Sequence, residues 1–146
     1  REDAQYTQYR STYNLDGWWV GNFSGPAGSG SLYVLVYQDG PSLDAYTFTL
    51  DGYVEVYVGG YVDGTTITIE AGFGFTIPCW NDYVTGGQAT ASSSSISGSY
   101  QAVGDCYEGT TTFYLTPTSP PKFATAAAAS VRRSEGPREL SAAGRR

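Results

Sequence analysis

The chain has 146 residues and a formal net charge of −6, and it is rich in Gly, Ser, Thr and Tyr. This length suits one domain with a buried core. All eight Lys and Arg residues lie near the two ends, His is absent, and the stretch between Ser11 and Pro121 holds ten acidic residues and no basic one. This acidic stretch lacks the positive groove that nucleic acid requires. No apolar run in the sequence is long enough for a membrane-spanning helix.

The N-terminal region predicts an arm followed by a first strand. Residues 1–13 are polar without a clear periodicity, so we expect an arm outside the main domain. A turn at 14–17 leads into a strand at 18–23. Gly21 in the middle of this strand predicts a bend or a close approach, of the kind found at the corners of barrels.

The next predicted strand is apolar on both faces. It spans residues 31–38 (SLYVLVYQ) and follows a flexible Gly- and Ser-rich connection at 24–30. An exposed antiparallel strand normally alternates between apolar and polar residues. The pattern therefore predicts that this strand lies deep in the sheet, or that its outer face is covered.

Three further strands are predicted within residues 43–70, separated by the Asp-Gly pairs at 51–52 and 63–64. Asp-Gly between β-forming residues is the strongest short-range indication of a two-residue hairpin loop, because both loop positions need a positive φ. The expected partners across the two turns are Leu50 with Tyr53 and Val62 with Thr65.

The middle strand of this meander alternates in side-chain character. We expect one face to carry Val54, Val56 and Val58, and the opposite face to carry Tyr53, Glu55 and Tyr57. Most acidic residues fall at turns, where Asp serves the backbone. Glu55 and Glu70 instead lie within strands, opposite the aliphatic face, and both are expected to be exposed.

The remaining segments complete a set of about eight strands. Strands are predicted at 82–91, 95–102 and 110–116, and Pro78 indicates a strand end or an edge. Eight antiparallel strands joined by tight turns predict an all-β, up-and-down meander closed into a small barrel, comprising residues 14–118. A β-sandwich is the alternative, and it would need longer crossover connections.

The composition changes after the last predicted strand. Residues 119–146 are rich in Ala, Arg, Gly and Pro and contain few large apolar side chains. Such a segment cannot bury a face of its own. We predict a disordered or partly helical tail, with a helical turn most expected at 124–131.

The chain contains two cysteines, Cys79 and Cys106. Neither belongs to a C-x-x-C pair, and no His exists to complete a zinc site or a Cys–His dyad. We predict a disulfide between them, with buried free thiols as the alternative. A disulfide indicates an oxidising compartment, so we expect a secreted or extracytoplasmic protein whose signal peptide is absent or already removed.

The residue types found between Ser11 and Pro121 give little basis for catalysis. A segment without His or Lys lacks the commonest bases and nucleophiles. No acidic loop motif for calcium is present either. We therefore predict that the protein is not an enzyme and has no cofactor and no metal site.

Aromatic residues are the better indication of function. Trp18, Trp19 and Trp80, together with thirteen Tyr residues, provide amphipathic surfaces suited to sugar rings or apolar ligands. These tryptophans and Tyr100 are the candidate ligand-binding residues. Alternatively, Trp19 and Trp80 plug the barrel, and the outward Tyr and Thr side chains form contacts between copies of the chain.

The chain also resembles a known class of barrels. Gly17-Trp18-Trp19, at the start of the first strand, resembles the G-x-W opening of lipocalin-type (calycin) barrels. The segments SISGSY, ending at Tyr100, and TTTFYLTP are similar to small secreted bacterial barrels of unassigned function. The resemblance covers about residues 15–117. It implies an extracytoplasmic, lipocalin-like barrel with ligand binding as an expected function and with Gly17 and Trp19 as structural residues.

Two functions are therefore expected from the sequence. The first is a non-catalytic, extracytoplasmic binding module for a small apolar molecule or a glycan. The alternative is a structural extracellular protein, a coat or fibre subunit, that self-associates through its Tyr- and Thr-rich faces. A hollow interior would favour the first function, and an interior filled by side chains would count against it.

Overall fold

The fold is one sheet of eight antiparallel strands that closes on itself. The computed structural model describes residues 14–75, 81–106, 108–129 and 131. Each strand pairs with the next along the chain, and the last pairs with the first to close the barrel. The predicted meander barrel is confirmed, and the sandwich alternative is wrong. The strands are β1 (Gly17–Gly25), β2 (Gly28–Asp39), β3 (Ser42–Phe48), β4 (Val54–Asp63), β5 (Thr66–Gly74), β6 (Tyr83–Ala91), β7 (Ile96–Val103) and β8 (Gly109–Pro117).

Side chains from all eight strands pack in the barrel interior and leave a small cavity of about 80 Å³ between them. Successive residues of a strand point to opposite faces, so every second residue enters the interior. In β1 the inward positions are those of Trp19, Gly21 and Phe23. The buried interior set includes Val34, Leu43, Val56, Ile67, Val84, Ile96 and Leu115.

A second apolar cluster lies on the outer face of the barrel. Tyr46 and Phe48 are fully buried there, and Leu35 of β2 is buried with them. They are covered by the C-terminal segment, in which residues 124–129 and 131 are helical and which packs through Phe123, Ala127 and Val131. The apolar pattern on both faces of β2 is therefore explained by a cover on its outer face, one of the two arrangements that the sequence predicts.

The turn at the second Asp-Gly pair differs from the prediction. Every residue with a positive φ in the described part of the chain is a glycine, so Asp63 does not adopt the conformation that the first position of such a loop requires. Asp63 instead pairs with Thr66. The loop therefore consists of Gly64, with φ +64°, and Thr65, one residue later than expected.

Two other connections also differ from expectation. Between β3 and β4, the Gly52 N–H donates to the Thr49 carbonyl oxygen at 2.9 Å, and Thr49 rather than Leu50 faces Tyr53. This gives a longer loop than the predicted two-residue turn. Between β1 and β2, Gly25 pairs with Gly28, so most of the predicted flexible connection at 24–30 is strand.

Some predictions fall outside the described residues. These are the N-terminal arm at 1–13, the strand end at Pro78 and the part of the tail beyond 131. Among the residues that the structure describes, no helix has the length and apolar character needed to cross a membrane.

Candidate functional site

One end of the barrel is closed by the start of the chain. Trp19 is only 4 % exposed, and its Nε1–H donates to the Leu15 carbonyl oxygen at 2.8 Å. The Leu15 N–H in turn donates to Gln38 Oε1 at 2.6 Å, which ties the entering chain to β2. These contacts close this end of the barrel, which we call the barrel bottom. Access to the interior is therefore expected from the opposite end, which we call the open end.

An apolar cavity runs inside the barrel. Its volume is about 80 Å³, and its wall is almost entirely hydrocarbon. We call it the axial cavity; its lining includes Val34, Val56, Ile69, Tyr100 and Phe113. A cavity of this size holds a small group rather than a drug-sized ligand, for which pockets of about 300–1,000 Å³ are usual.

A second space adjoins the axial cavity at the open end. It has a volume of about 190 Å³ and lies against the β1–β2 hairpin and the start of β4. We call it the mouth recess; its lining includes Phe23, Gly30, Thr47, Glu55, Tyr100 and Thr111. The two spaces share Phe23, Thr47, Val56 and Tyr100, so they are neighbours along the barrel axis.

Aromatic rings form the wall where the two spaces meet. The rings of Phe23 and Phe113 are stacked, with centroids 5.7 Å apart and an interplanar angle of 28°. The ring of Tyr100 lies 6.2 Å from that of Phe113. Offset ring pairs of this kind hold their side chains in place beyond what simple burial provides. The wall is therefore a pre-formed apolar surface.

A β-bulge brings Glu55 to the mouth recess. Thr47 pairs with Val56 and Phe48 pairs with Val54, so Glu55 has no residue opposite it in β3. A bulge inserts one extra residue and shifts the side chains that precede it to the other face. Val54 accordingly packs in the outer cluster rather than in the interior. The predictions that Val54 shares the core face and that Glu55 is exposed are wrong, whereas Glu70 is exposed as expected.

The hydroxyl of Thr47 stabilises this bulge. Thr47 Oγ1 accepts the Val56 N–H at 3.0 Å and donates to the Val56 carbonyl oxygen at 3.3 Å. The side chain thus satisfies backbone groups that the interrupted ladder leaves without their usual partners. Glu55 is half-buried as a result, and this burial raises the pKa of its carboxyl group.

The raised pKa predicts how stability depends on pH. A carboxyl group whose pKa is higher in the folded state than in the unfolded state favours folding when protonated, and this contribution is lost as pH rises through the folded pKa. We therefore expect Glu55→Gln to melt at a higher temperature than the wild type at pH 7, and the difference to shrink at pH 4. Thermal melts of both proteins at both pH values test this. A variant that is less stable at pH 7 would show that the charged form is stabilised in the fold.

The sequence-predicted binding residues are distributed over different parts of the barrel. Tyr100 lines both the axial cavity and the mouth recess. Trp18 lies in the outer cluster, 5.9 Å from the ring of Phe123, and Trp19 lies in the barrel bottom. Trp80 lies outside the described residues. Of the described three, only Tyr100 lies at the internal spaces.

Cys106 lies in a loop that a buried carboxylate organises. Asp82 is 2 % exposed, and its two carboxylate oxygens accept the N–H groups of Asp105 and Cys106, each at 2.9 Å. Gly104, with φ +140°, leaves room for the carboxylate. Because Cys79 lies outside the described residues, the disulfide stays a prediction.

Metal-ligating side chains are not clustered in the described part of the chain, where no group of three or more His, Cys, Asp or Glu residues could hold an ion. No protein family matches the chain, and no curated protein is similar to it.

Phe23, Phe113 and Glu55 are site residues that the sequence did not identify, and Glu55 is the charged one among them. Its position between Val54 and Val56 fits a strand that alternates without interruption, so the local pattern gives no sign of the bulge. An indirect sign is its type, since it is one of the two glutamates inside predicted strands. Charged side chains are depleted in such strands unless they have a role.

Proposed function

We propose that the chain is a non-catalytic, extracytoplasmic binding barrel of the lipocalin-like type, and that it takes a small apolar ligand through its open end. The observation that carries this proposal is the pair of adjoining spaces, the axial cavity and the mouth recess, with an aromatic wall between them. The closed bottom leaves one route of entry.

The volumes of the axial cavity and the mouth recess favour a ligand about the size of one aromatic ring. A dry cavity of about 150 Å³ is known to bind benzene. The axial cavity alone is smaller, at about 80 Å³, whereas together with the neighbouring recess it offers space of that order. A long apolar molecule would need the interior side chains to move, which close-packed cores resist.

Apolar ligands are favoured over glycans by the positions of the tryptophans. A sugar ring needs an exposed aromatic face on which to stack. Trp19 is buried, and Trp18 is partly buried, with its ring in contact with those of Phe48 and Phe123. Neither is a fully exposed ring of the kind on which a sugar stacks.

Self-association is less favoured for a related reason. The outer apolar face of β1–β4 would be the natural contact surface between copies, and it is covered by the C-terminal segment of the same chain. Large apolar side chains that stay exposed include Tyr53 in the β3–β4 loop and Tyr114 in β8. Such scattered residues are usual on monomeric proteins.

Benzyl alcohol is a suitable neutral probe for this proposal. Its binding to the full chain at pH 7 is expected in the submillimolar to millimolar range, as its size allows. Gly30→Leu should weaken binding by about tenfold or more. A β-carbon added at Gly30 meets no atom within 4 Å, and Gly30 lines the recess, so a leucine side chain there would occupy part of this space. The measurement is an NMR titration that follows the ligand and the protein amides.

Ser97→Leu is the matched control, because it introduces the same side chain at an exposed position of β7. Its affinity for benzyl alcohol should equal that of the wild type. An absence of binding to the wild type, or an equal loss in both variants, would contradict the proposed function. Strong binding of a molecule as large as retinol would contradict the size argument.

A further inference from the structure

The mouth recess presents a carboxylate beside aromatic rings. Glu55 lines it together with Phe23 and Tyr100. Burial raises the pKa of the Glu55 carboxyl group, so the charged form lacks part of its hydration. A ligand that supplies a compensating positive charge would therefore be favoured at this position.

The chain itself does not supply that charge from the strands around the recess. These strands belong to the stretch between Ser11 and Pro121, which contains no Lys, Arg or His. Within the described part of the chain, the carboxylate of Glu55 also accepts no hydrogen bond. The same stretch carries ten acidic residues, so its overall field attracts cations.

We infer that the ligand of this site is a small apolar amine, protonated at neutral pH, whose ammonium group pairs with Glu55 while its apolar body enters the axial cavity. This inference rests on the proposed function and specifies its ligand class. It is carried by the position of Glu55 at the junction of an open recess and an apolar interior.

The two parts of such a ligand have matching surroundings. An ammonium group donates hydrogen bonds to a carboxylate, and charge-assisted bonds of this kind are stronger than neutral ones. The rings of Phe23 and Tyr100 also line the recess, and an aromatic ring close to a cation can add a cation–π attraction. The body is limited to about one ring, because the axial cavity holds only about 80 Å³ and the ring has to occupy part of the mouth recess as well.

Benzylamine, benzyl alcohol and benzoate differ in charge while sharing one ring, so they separate the two proposals. At pH 7 the full chain should bind benzylamine at least about tenfold more tightly than benzyl alcohol, and benzoate most weakly. In Glu55→Gln the preference for benzylamine over benzyl alcohol should fall to within about twofold. Calorimetric or NMR titrations measure all three ligands.

Glu70→Gln is the matched control, because it removes one negative charge from an exposed strand position outside the recess. It should keep the preference for benzylamine. Equal affinities for benzylamine and benzyl alcohol in the wild type, or an equal loss in both variants, would overturn the inference and leave the proposed function standing. Binding of none of the three ligands would instead overturn the proposed function, and the inference with it.

Discussion

Replacing Gly21 with alanine is expected to lower the free energy of unfolding by about 3 kcal/mol or more. Gly21 occupies an inward position of β1, where it pairs with Leu32 on one side and Leu115 on the other. A β-carbon at this position would overlap the carbonyl oxygen of Tyr114 and lie 2.8 Å from the Leu115 Cα. Both atoms belong to the backbone of β8, whose pairing with β1 closes the barrel. The backbone cannot yield without opening this seam.

Gly30→Ala is the matched control for Gly21→Ala. Gly30 lies on the neighbouring strand, its φ is not positive, and an added β-carbon meets no atom within 4 Å. Gly-to-Ala changes at such positions are neutral or stabilise by up to about 1 kcal/mol, because the unfolded chain loses freedom. Urea denaturation followed by tryptophan fluorescence measures both variants. Equal stabilities for the two would show that the seam tolerates a side chain at Gly21.

Strand number, direction and closure could be predicted from the sequence because they follow from local patterns. Alternating apolar residues and glycine-containing turns recur along the whole body, and each short loop can join only antiparallel neighbours. The mid-strand Gly21 predicts a close approach, and the structure places a neighbouring backbone against it. Local chemistry and the global fold agree in this part of the chain, as expected of a foldable sequence.

The position of Glu55 could not be predicted, because a bulge depends on two strands together. The sequence alternation at Val54, Val56 and Val58 looks the same whether or not a bulge interrupts the strand at Glu55. The choice is made by the register between β3 and β4 and by the hydroxyl of Thr47, which belongs to the other strand. Glu55 was missed as a site residue for this reason, although Tyr100 and the barrel around the site were predicted.

The segment that covers the outer face of β2 could not be predicted for a different reason. The apolar outer face of β2 predicts that something lies on it, and Leu35 is buried as expected. The segment that covers it consists mostly of alanine, whose small side chain gives little hydrophobic contrast between one helix face and the other. Nothing local connects Ala127 with Leu35, so the partner of this face could not be identified from the sequence.

Replacing Ala127 with glutamate is expected to detach this cover and to lower the free energy of unfolding by about 2–4 kcal/mol. Ala127 is only 3 % exposed and packs in the outer cluster with Leu35, Tyr46 and Phe48. A carboxylate cannot remain in that cluster without a partner, so the helical segment has to leave. The aromatic face beneath it would then meet water, and such a patch promotes contacts between copies. Urea denaturation measures the loss, and light scattering measures the expected association.

Ala126→Glu provides the control, because the adjacent residue is exposed on the same helical segment. It introduces the same charge and nearly the same helix propensity, and surface changes of this kind stay within about 0.5 kcal/mol. Tryptophan emission separates the two variants further, since the ring of Trp18 lies 5.9 Å from that of Phe123 and becomes hydrated when the segment leaves. If both variants were equally stable and monomeric, the outer cluster would not depend on its cover, and the apolar face of β2 would need another explanation.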